Sequence, residues 1–185
     1  MLTKMLSSDK RPIGIFDSGV GGLSILKELR KQAPAENIVY FADSRYFPYG
    51  TRSVAEIRKR AFAVTHQLLK ADVKLIIVAC NTASAAALDD LRNVFDVPFI
   101  GIVPPVKPSV TKSLSKKIAI LATSGTLEGD LYRDVVSKNG SDVVISNIVS
   151  EDLITLVETG DLKSPLLSQM IQKVLGKEIS NGVDT

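Results

Sequence analysis

The sequence predicts an α/β fold of two similar lobes, each a mostly parallel sheet flanked by helices. Two observations support this prediction. From residue 13 onward, short runs of β-branched apolar residues alternate with longer stretches whose apolar residues recur every three or four positions. The short runs are continuously apolar, which is typical of parallel strands that are buried on both faces.

The predicted strands are the apolar runs at residues 13–16, 38–41, 75–79, 99–103, 118–122 and 143–148. The predicted helices occupy residues 23–31, 54–70, 83–94, 125–138, 151–157 and 165–175. Within the second helix the apolar positions define one face, formed by Val54, Ile57, Ala61, Val64 and Leu68.

The stretch 104–117 has a different composition, since it contains Pro104, Pro105 and Pro108 followed by lysine, serine and threonine residues. We therefore predict an N-terminal tail at 1–11, a first lobe at 12–103, a junction at 104–117 and a second lobe at 118–185. Residues 180–185 look like the approach to a further strand. We expect the second lobe to be incomplete in this chain, with exposed apolar edge surface.

The composition excludes several classes of protein. The 185 residues carry 23 Lys+Arg and 20 Asp+Glu, a net charge of +3, with 5% aromatic residues and no tryptophan. Neither a basic stripe nor stacking platforms for nucleic acid are evident. No apolar run approaches the roughly 18 residues of a membrane span, and no leader is recognisable. One cysteine and one histidine argue against disulfides and zinc sites, so we predict a cytoplasmic protein without a metal.

Three polar clusters follow predicted strands, and they are the best candidates for a site. They are Asp-Ser-Gly-Val-Gly-Gly at 17–22, Pro-Tyr-Gly-Thr at 48–51 and Cys-Asn-Thr-Ala-Ser at 80–84. Because the carboxyl ends of parallel strands meet at one edge of a sheet, we expect all three clusters to face one crevice.

The glycine-rich turn does not have the spacing of a dinucleotide or triphosphate site. Gly19 and Gly21 are followed by Ser24, and no Gly-Lys-Ser/Thr sequence follows. Two interpretations stay open. The turn is either a set of backbone N–H groups suited to a small anion such as a carboxylate, or a tight turn in which Asp17 or Ser18 is the N-cap of the next helix.

Cys80 ends a predicted strand and precedes a predicted helix. A helix N-terminus favours the thiolate and lowers the pKa of a thiol, which predicts a reactive cysteine. The alternative is a small buried apolar residue at a strand end. Asn81 and Thr82 offer hydrogen bonds at the same strand end, and Asp17 ends a predicted neighbouring strand. These neighbours favour the reactive thiol.

Other polar residues are interpreted as structural on their own pattern. His66 lies inside a predicted helix, far from any strand end, as a surface or packing residue. The charged residues of the same helix are interpreted as its solvated face; they are Arg52, Glu56, Arg58, Lys59 and Arg60. Glu158 precedes a glycine that ends a predicted helix, where a surface residue is expected.

At these motifs the sequence closely resembles the glutamate racemases of the aspartate/glutamate racemase superfamily. The resemblance runs from about residue 12 to residue 185, and its long motifs occur in the family's order. The matching segments are 13–24, 40–43, 48–51, 78–85 and 121–126.

The resemblance implies two α/β lobes with the active site between them. It also implies cofactor-independent inversion at Cα of glutamate by two cysteines, which supplies D-glutamate for peptidoglycan. By this likeness Cys80 is one base and Asp17 assists its proton transfer. Glu158 matches the glutamate of a Val-Glu-x-Gly segment that supports the opposite base, which revises its interpretation as a surface residue. The implied substrate-binding residues are Asp17, Ser18, Tyr49, Gly50, Asn81, Thr82 and Thr123.

The sequence departs from the family pattern at two places. Pro104, Pro105 and Val106 stand where most members have Glu-Pro-Gly. The family's Gly-Cys-Thr-His segment, which carries the second base, would come a few residues after Thr185. Since inversion needs one group on each face of the carbanion, we expect this chain alone to be an inefficient racemase.

Three other hypotheses stay open. In the first, two chains form a homodimer and complete each other's active site; this needs a second acid/base, for which the sequence offers no second cysteine. In the second, the chain is an aspartate or broad-specificity amino-acid racemase. In the third, it is a non-catalytic amino-acid binding remnant.

Overall fold

The structure, a computed structural model, describes residues 9–160 and 163–185. The chain divides into two compact units, Met1–Ile102 and Val103–Thr185. Within the described ranges, no helix combines the length and the apolar character needed to cross a membrane.

The first unit contains a four-stranded parallel sheet in the order β2-β1-β3-β4. Its strands are β1 (Ile13–Asp17), β2 (Ile38–Ala42), β3 (Leu75–Val78) and β4 (Phe99–Gly101). Its helices are α1 (Leu23–Gln32), α2 (Val54–Leu69) and α3 (Asn81–Val94), with a 3-10 turn at Ser44–Tyr46. The strand order reverses direction between β1 and β3, and ligands of open α/β sheets bind in the crevice at such a point.

The core of this unit forms on both faces of β1. Ile13 and Ile15 are buried on one face, where the apolar side chains of α1 pack. Gly14 points to the opposite face, and a Cβ atom placed there would lie 3.3 Å from Leu68 of α2. All of β1 is buried, whereas β2 and β4 at the sheet edges are only partly buried. The prediction of strands buried on both faces therefore holds for the centre of the sheet and is wrong at its edges.

Helix α2 begins where its sequence provides a cap. Ser53 accepts a hydrogen bond from the Glu56 backbone N–H, and the Glu56 side chain accepts one from the Ser53 backbone. Its predicted apolar face is buried from Ile57 to Leu68. Val54 is half exposed, because it is the first residue of the helix.

The second unit contains a two-stranded parallel sheet of β5 (Lys117–Ala122) and β6 (Val144–Val149). Its core consists of Val106, Ile118, Ile120 and Tyr132. Leu121 is exposed, so β5 is covered mainly on one face instead of both. The Ala119 N–H donates to the Thr185 carbonyl, 2.9 Å away. The helices are α4 (Val106–Lys112), α5 (Ser124–Leu127), α6 (Asp130–Asn139), α7 (Glu151–Glu158) and α8 (Pro165–Ser180).

Two helical predictions in this unit are wrong in detail. The predicted helix at 125–138 is divided into α5 and α6, with Gly129 as the N-cap of α6. The proline-rich stretch at 104–117 contains α4, which the sequence did not predict. Pro108 fits there because it lies in the first helical turn, where backbone N–H groups have no partner within the helix.

Gly22 marks the tightest approach of α1 to the sheet, and this generates a stability prediction. A Cβ atom there would lie 2.9 Å from Asp17 Cβ, 2.9 Å from Tyr40 Oη and 3.0 Å from Ala79 Cβ. Because two of these atoms are fixed to the sheet backbone, Gly22→Ala should lower the free energy of unfolding by about 1–3 kcal/mol.

Gly176 provides the matched control. It lies inside α8 with nothing within 4 Å of an added Cβ atom, so Gly176→Ala should raise the free energy of unfolding by about 0.5–1 kcal/mol. Urea denaturation measures both variants. Equal stability of Gly22→Ala and the wild-type chain would contradict the close packing described here.

Candidate active site

Three chain segments meet at the carboxyl edge of the first sheet. Asp17 ends β1, Asp43 follows β2 and Cys80 follows β3. Backbone hydrogen bonds extend the pairing beyond the strands, because the Asp43 N–H donates to the Asp17 carbonyl at 2.8 Å and the Ala79 N–H donates to the Phe16 carbonyl at 2.7 Å. The structure therefore brings the segments after these strands to one edge of the sheet, as the sequence predicts.

The Cys80 thiol is buried at the N-terminus of α3. Cys80 is the N-cap residue of this helix, and its Sγ accepts a hydrogen bond from the Ala83 N–H at 3.4 Å. The Ser18 hydroxyl lies 3.4 Å from the same sulfur. The thiol thus has hydrogen-bonding groups from both the helix and the glycine-rich turn.

The environment raises the pKa of the Cys80 thiol above its ordinary value. Burial is the main cause, and the negative charge of Asp17 is the second. Hydrogen bonds from Ser18 and from the Ala83 N–H act in the opposite direction and are outweighed. The helix N-terminus therefore lowers the pKa as predicted, but the predicted net lowering is wrong, because loss of water and the Asp17 charge destabilise the thiolate more than these donors stabilise it. Once formed, such a thiolate is a strong base.

The glycine-rich turn folds around the side chain of Asp17. The Gly22 N–H donates to Asp17 Oδ2 at 2.8 Å, and the Asp17 residue is buried. Gly22 is the N-cap of α1, so the interpretation with Asp17 or Ser18 as N-cap residue is wrong. One N–H group of the turn, that of Gly22, is therefore already hydrogen-bonded to the Asp17 carboxylate within the protein.

Tyr49 is a buried residue whose hydroxyl is directed at Asp43. Its Oη donates to Asp43 Oδ2 at 2.6 Å, and its ring meets the Phe16 ring edge-on at 6.2 Å between centroids. Burial, and secondarily the Asp43 hydrogen bond, raise the pKa of Tyr49 far above its ordinary value. The single hydroxyl proton is therefore used inside the protein. A substrate contact from this turn would come from its backbone, including that of the buried Gly50.

The side chains that hold this turn are not among those predicted from the sequence. Arg60 was interpreted as part of a solvated helix face, yet it forms two hydrogen bonds to the buried Asp43 carboxylate, at 2.9 and 2.8 Å. The sequence contains one indication of them, because Asp43 directly follows an apolar strand in the segment 40–43 that resembles the family. Its partner on α2, Arg60, is set by a tertiary contact, which a local pattern does not predict.

The remaining predicted residues of the first unit lie in the first turn of α3. Thr82 is buried there, and Asn81, the first residue of the helix, is exposed. Both residues directly follow Cys80, so they lie at the same strand end as the thiol.

Thr123 occupies a corresponding position in the second unit, directly after β5. It is buried, and its hydroxyl oxygen accepts a hydrogen bond from the Thr126 N–H at 3.2 Å. The neighbouring Ser124 donates through its N–H and its hydroxyl to Glu151 Oε1, both at 3.3 Å. Glu158, the last residue of α7, is half-buried.

Among residues 9–160 and 163–185, no group of three or more histidine, cysteine, aspartate or glutamate side chains is placed to hold a metal ion. The polar groups around the Cys80 thiol are the Ser18 hydroxyl, the backbone N–H groups of Ser18 and Ala83, and the Asp17 carboxylate. This set is suited to moving a proton.

Proteins of known function are similar to this chain. The profile of the Asp/Glu/Hydantoin racemase family matches residues 13–185. The glutamate racemase of Roseiflexus sp. (strain RS-1) is 43% identical over 98% of this chain and 67% of that protein.

Two solved structures are similar to this one. The glutamate racemase of Escherichia coli in complex with L-glutamate and the activator UDP-MurNAc-Ala is 32% identical, with a TM-score of 0.82 over 90% of this chain and 64% of that chain. The glutamate racemase of Francisella tularensis in complex with D-glutamate is 31% identical, with a TM-score of 0.76 over 91% and 63%. The chain thus spans about two thirds of the length of these relatives.

The electrostatics of the thiol generate a pH prediction. Because the pKa of Cys80 is raised, the rate of its alkylation by iodoacetamide should continue to rise above pH 9. Asp17→Asn removes a charge that raises this pKa, so it should move the midpoint of the pH profile to lower pH.

Asp89→Asn is the control for this experiment. It also removes one carboxylate, but its side chain on α3 is 84% exposed, so its effect is screened by solvent and the midpoint should not change. A midpoint unchanged or raised in Asp17→Asn would show that the Asp17 charge does not act on the thiol.

Proposed function

This chain belongs to the Asp/Glu/Hydantoin racemase family, and from that premise we propose that it acts on glutamate, moving the proton at Cα in the interconversion of the L and D enantiomers. We propose that the reaction needs no cofactor, takes place in the cytoplasm and supplies D-glutamate for peptidoglycan. The observation that supports the proposal best is the buried Cys80 thiol beside Ser18 and Asp17.

Removing a Cα proton at neutral pH is difficult because the product is a carbanion beside a carboxylate. A strong base and a preorganised set of donors are therefore required. The desolvated Cys80 provides the base, since a thiolate formed in this environment takes up a proton readily. The N-terminus of α3 and the Ser18 hydroxyl provide dipoles at the same place.

Asp17 assists because the thiol must first lose its own proton. Its carboxylate is buried and acts electrostatically on the sulfur. In the proposed reaction, Asp17 takes the proton from Cys80 when glutamate binds. The Cys80 thiolate then removes the Cα proton, and the electron pair of the broken C–H bond stays on the substrate. For exchange, Cys80 returns a proton to the same face of Cα after exchange with solvent, and Asp17 then returns its proton to the Cys80 thiolate. Inversion requires instead that a second acid delivers a proton to the opposite face of Cα.

The glutamate would be held by groups at the strand ends. In the first unit these are Ser18, Asn81 and Thr82, together with the Tyr49–Gly50 turn acting through its backbone. Thr123, which directly follows β5, and Glu158, at the end of α7, are assigned from the family motifs. By the same motifs, Glu158 supports the proton transfer at the second base.

The proposal is tested by incubating the chain with L-glutamate and, separately, D-glutamate in D2O. Loss of the Cα proton is followed by NMR, and the enantiomer ratio by chiral chromatography. We expect exchange with at least one enantiomer. Cys80→Ala should lower the exchange rate by at least roughly a thousandfold, because it removes the base.

Asp89→Asn, on the exposed face of α3, is the control variant and should exchange at the wild-type rate. Exchange that persists in Cys80→Ala would contradict the role of the thiol. Exchange with aspartate in place of glutamate would contradict the substrate. Binding of glutamate without exchange would mean that the chain is a binding protein.

A further inference from the structure

We propose that Asp43 and Arg60 are positioning residues for substrate binding: their ion pair holds the Tyr49–Gly50 turn in the conformation in which its backbone meets glutamate. This inference rests on the proposed function. Neither side chain is given a role in the chemistry itself.

The ion pair has the geometry of a fixed support. Arg60 Nε donates to Asp43 Oδ2 at 2.9 Å and Arg60 Nη2 donates to Oδ1 at 2.8 Å, so both carboxylate oxygens are engaged. The guanidinium also lies 3.7 Å from the centre of the Tyr46 ring. A guanidinium held by two hydrogen bonds and one ring face has little freedom to rotate.

One carboxylate thus connects three parts of the unit. Asp43 Oδ2 accepts hydrogen bonds from both Tyr49 Oη and Arg60 Nε, and so links the turn to α2. The backbone N–H of Asp43 donates to the Asp17 carbonyl, which links the same residue to the end of β1. The Tyr49 ring packs on Phe16, which precedes Asp17. A change in the ion pair is therefore transmitted to the turn that follows.

The position of Tyr49 connects the Asp43–Arg60 ion pair with the edge of the sheet at which Asp17 and Cys80 lie. The Tyr49 ring contacts Phe16 and the Asp43 N–H donates to the Asp17 carbonyl, so the turn is held beside the end of β1, where Asp17 lies. The Tyr49 hydroxyl cannot donate to a substrate while it donates to Asp43. What the ion pair determines is therefore the location of the turn's backbone.

A role in stabilising the fold explains the Asp43–Arg60 ion pair less well than a role in positioning the turn. A buried ion pair contributes little net stability, because the loss of water offsets the attraction. What the guanidinium provides is two hydrogen bonds of fixed direction to the carboxylate. A lysine does not reproduce them, because an ammonium ion does not form this pair of hydrogen bonds. Arg60→Lys therefore keeps the charge and removes the geometry.

The test compares Arg60→Lys with Arg58→Lys. Arg58 lies on the same helix, pairs with Asp90 at 2.8 Å and donates to the Ala86 carbonyl at 2.8 Å, so its replacement changes contacts with α3 and none of the contacts of the turn. The Cα exchange of glutamate in D2O is measured against glutamate concentration for each variant, which gives KM and kcat. Thermal unfolding confirms that each variant is folded.

We expect Arg60→Lys to raise KM at least roughly tenfold and to change kcat by less than about threefold. Arg58→Lys should have the wild-type values. Tyr49→Phe, which removes the hydrogen bond and leaves the ion pair in place, should raise KM by a smaller factor. An Arg60→Lys variant that is folded and has the wild-type KM would overturn the inference.

A second measurement separates this inference from the proposed function. Amide hydrogen exchange at Gly50 should be faster in Arg60→Lys than in Arg58→Lys, because the turn is released. If the wild-type chain does not exchange the Cα proton of glutamate, the proposed function fails. In that event the Gly50 amide decides the positioning role alone, and equal protection in the two variants overturns it.

Discussion

The parallel pairing of β1 with β2 on one side and with β3 on the other is the constraint on which the site depends. It places the residues after three strands at one edge, so that Asp17, Asp43 and Cys80 become neighbours although they are distant in sequence. The strand order reverses between β1 and β3, which is where open α/β sheets bind their ligands. The glycine-rich turn, the cysteine and the Tyr49–Gly50 turn acquire a common location from this pairing.

Burial has opposite consequences for the two kinds of group at this edge. It makes the Cys80 thiol reluctant to ionise and, for the same reason, a strong base once it has ionised. It makes the Asp43 carboxylate dependent on its donors, because an unpaired buried charge is costly. The carboxylate is accordingly satisfied by Arg60 and by Tyr49. Both oxygens of the Asp43 carboxylate thus accept hydrogen bonds within the protein, whereas the Cys80 thiol keeps the proton that the proposed reaction moves.

The two units differ in how completely their strands are covered. In the first unit the central strand is buried along its whole length. In the second unit Ile118 and Ile120 are buried while Leu121 is exposed, so burial alternates along β5. Continuous apolar runs therefore predicted the strands themselves correctly in both units. They did not predict the layers around those strands, because coverage depends on which helices pack there.

The sequence by itself determined the order of the strands and of the longer helices along the chain, and the edge at which the strands end in polar residues, because periodicity and turn residues are local properties. It also indicated Cys80 and Asp17 through their motifs. Only the tertiary structure decided the direction of the thiol pKa, since burial outweighs the donors at the helix N-terminus. Likewise, only the folded chain pairs Arg60 with Asp43 across 17 positions. Side-chain partners between elements depend on packing, and no local pattern encodes them.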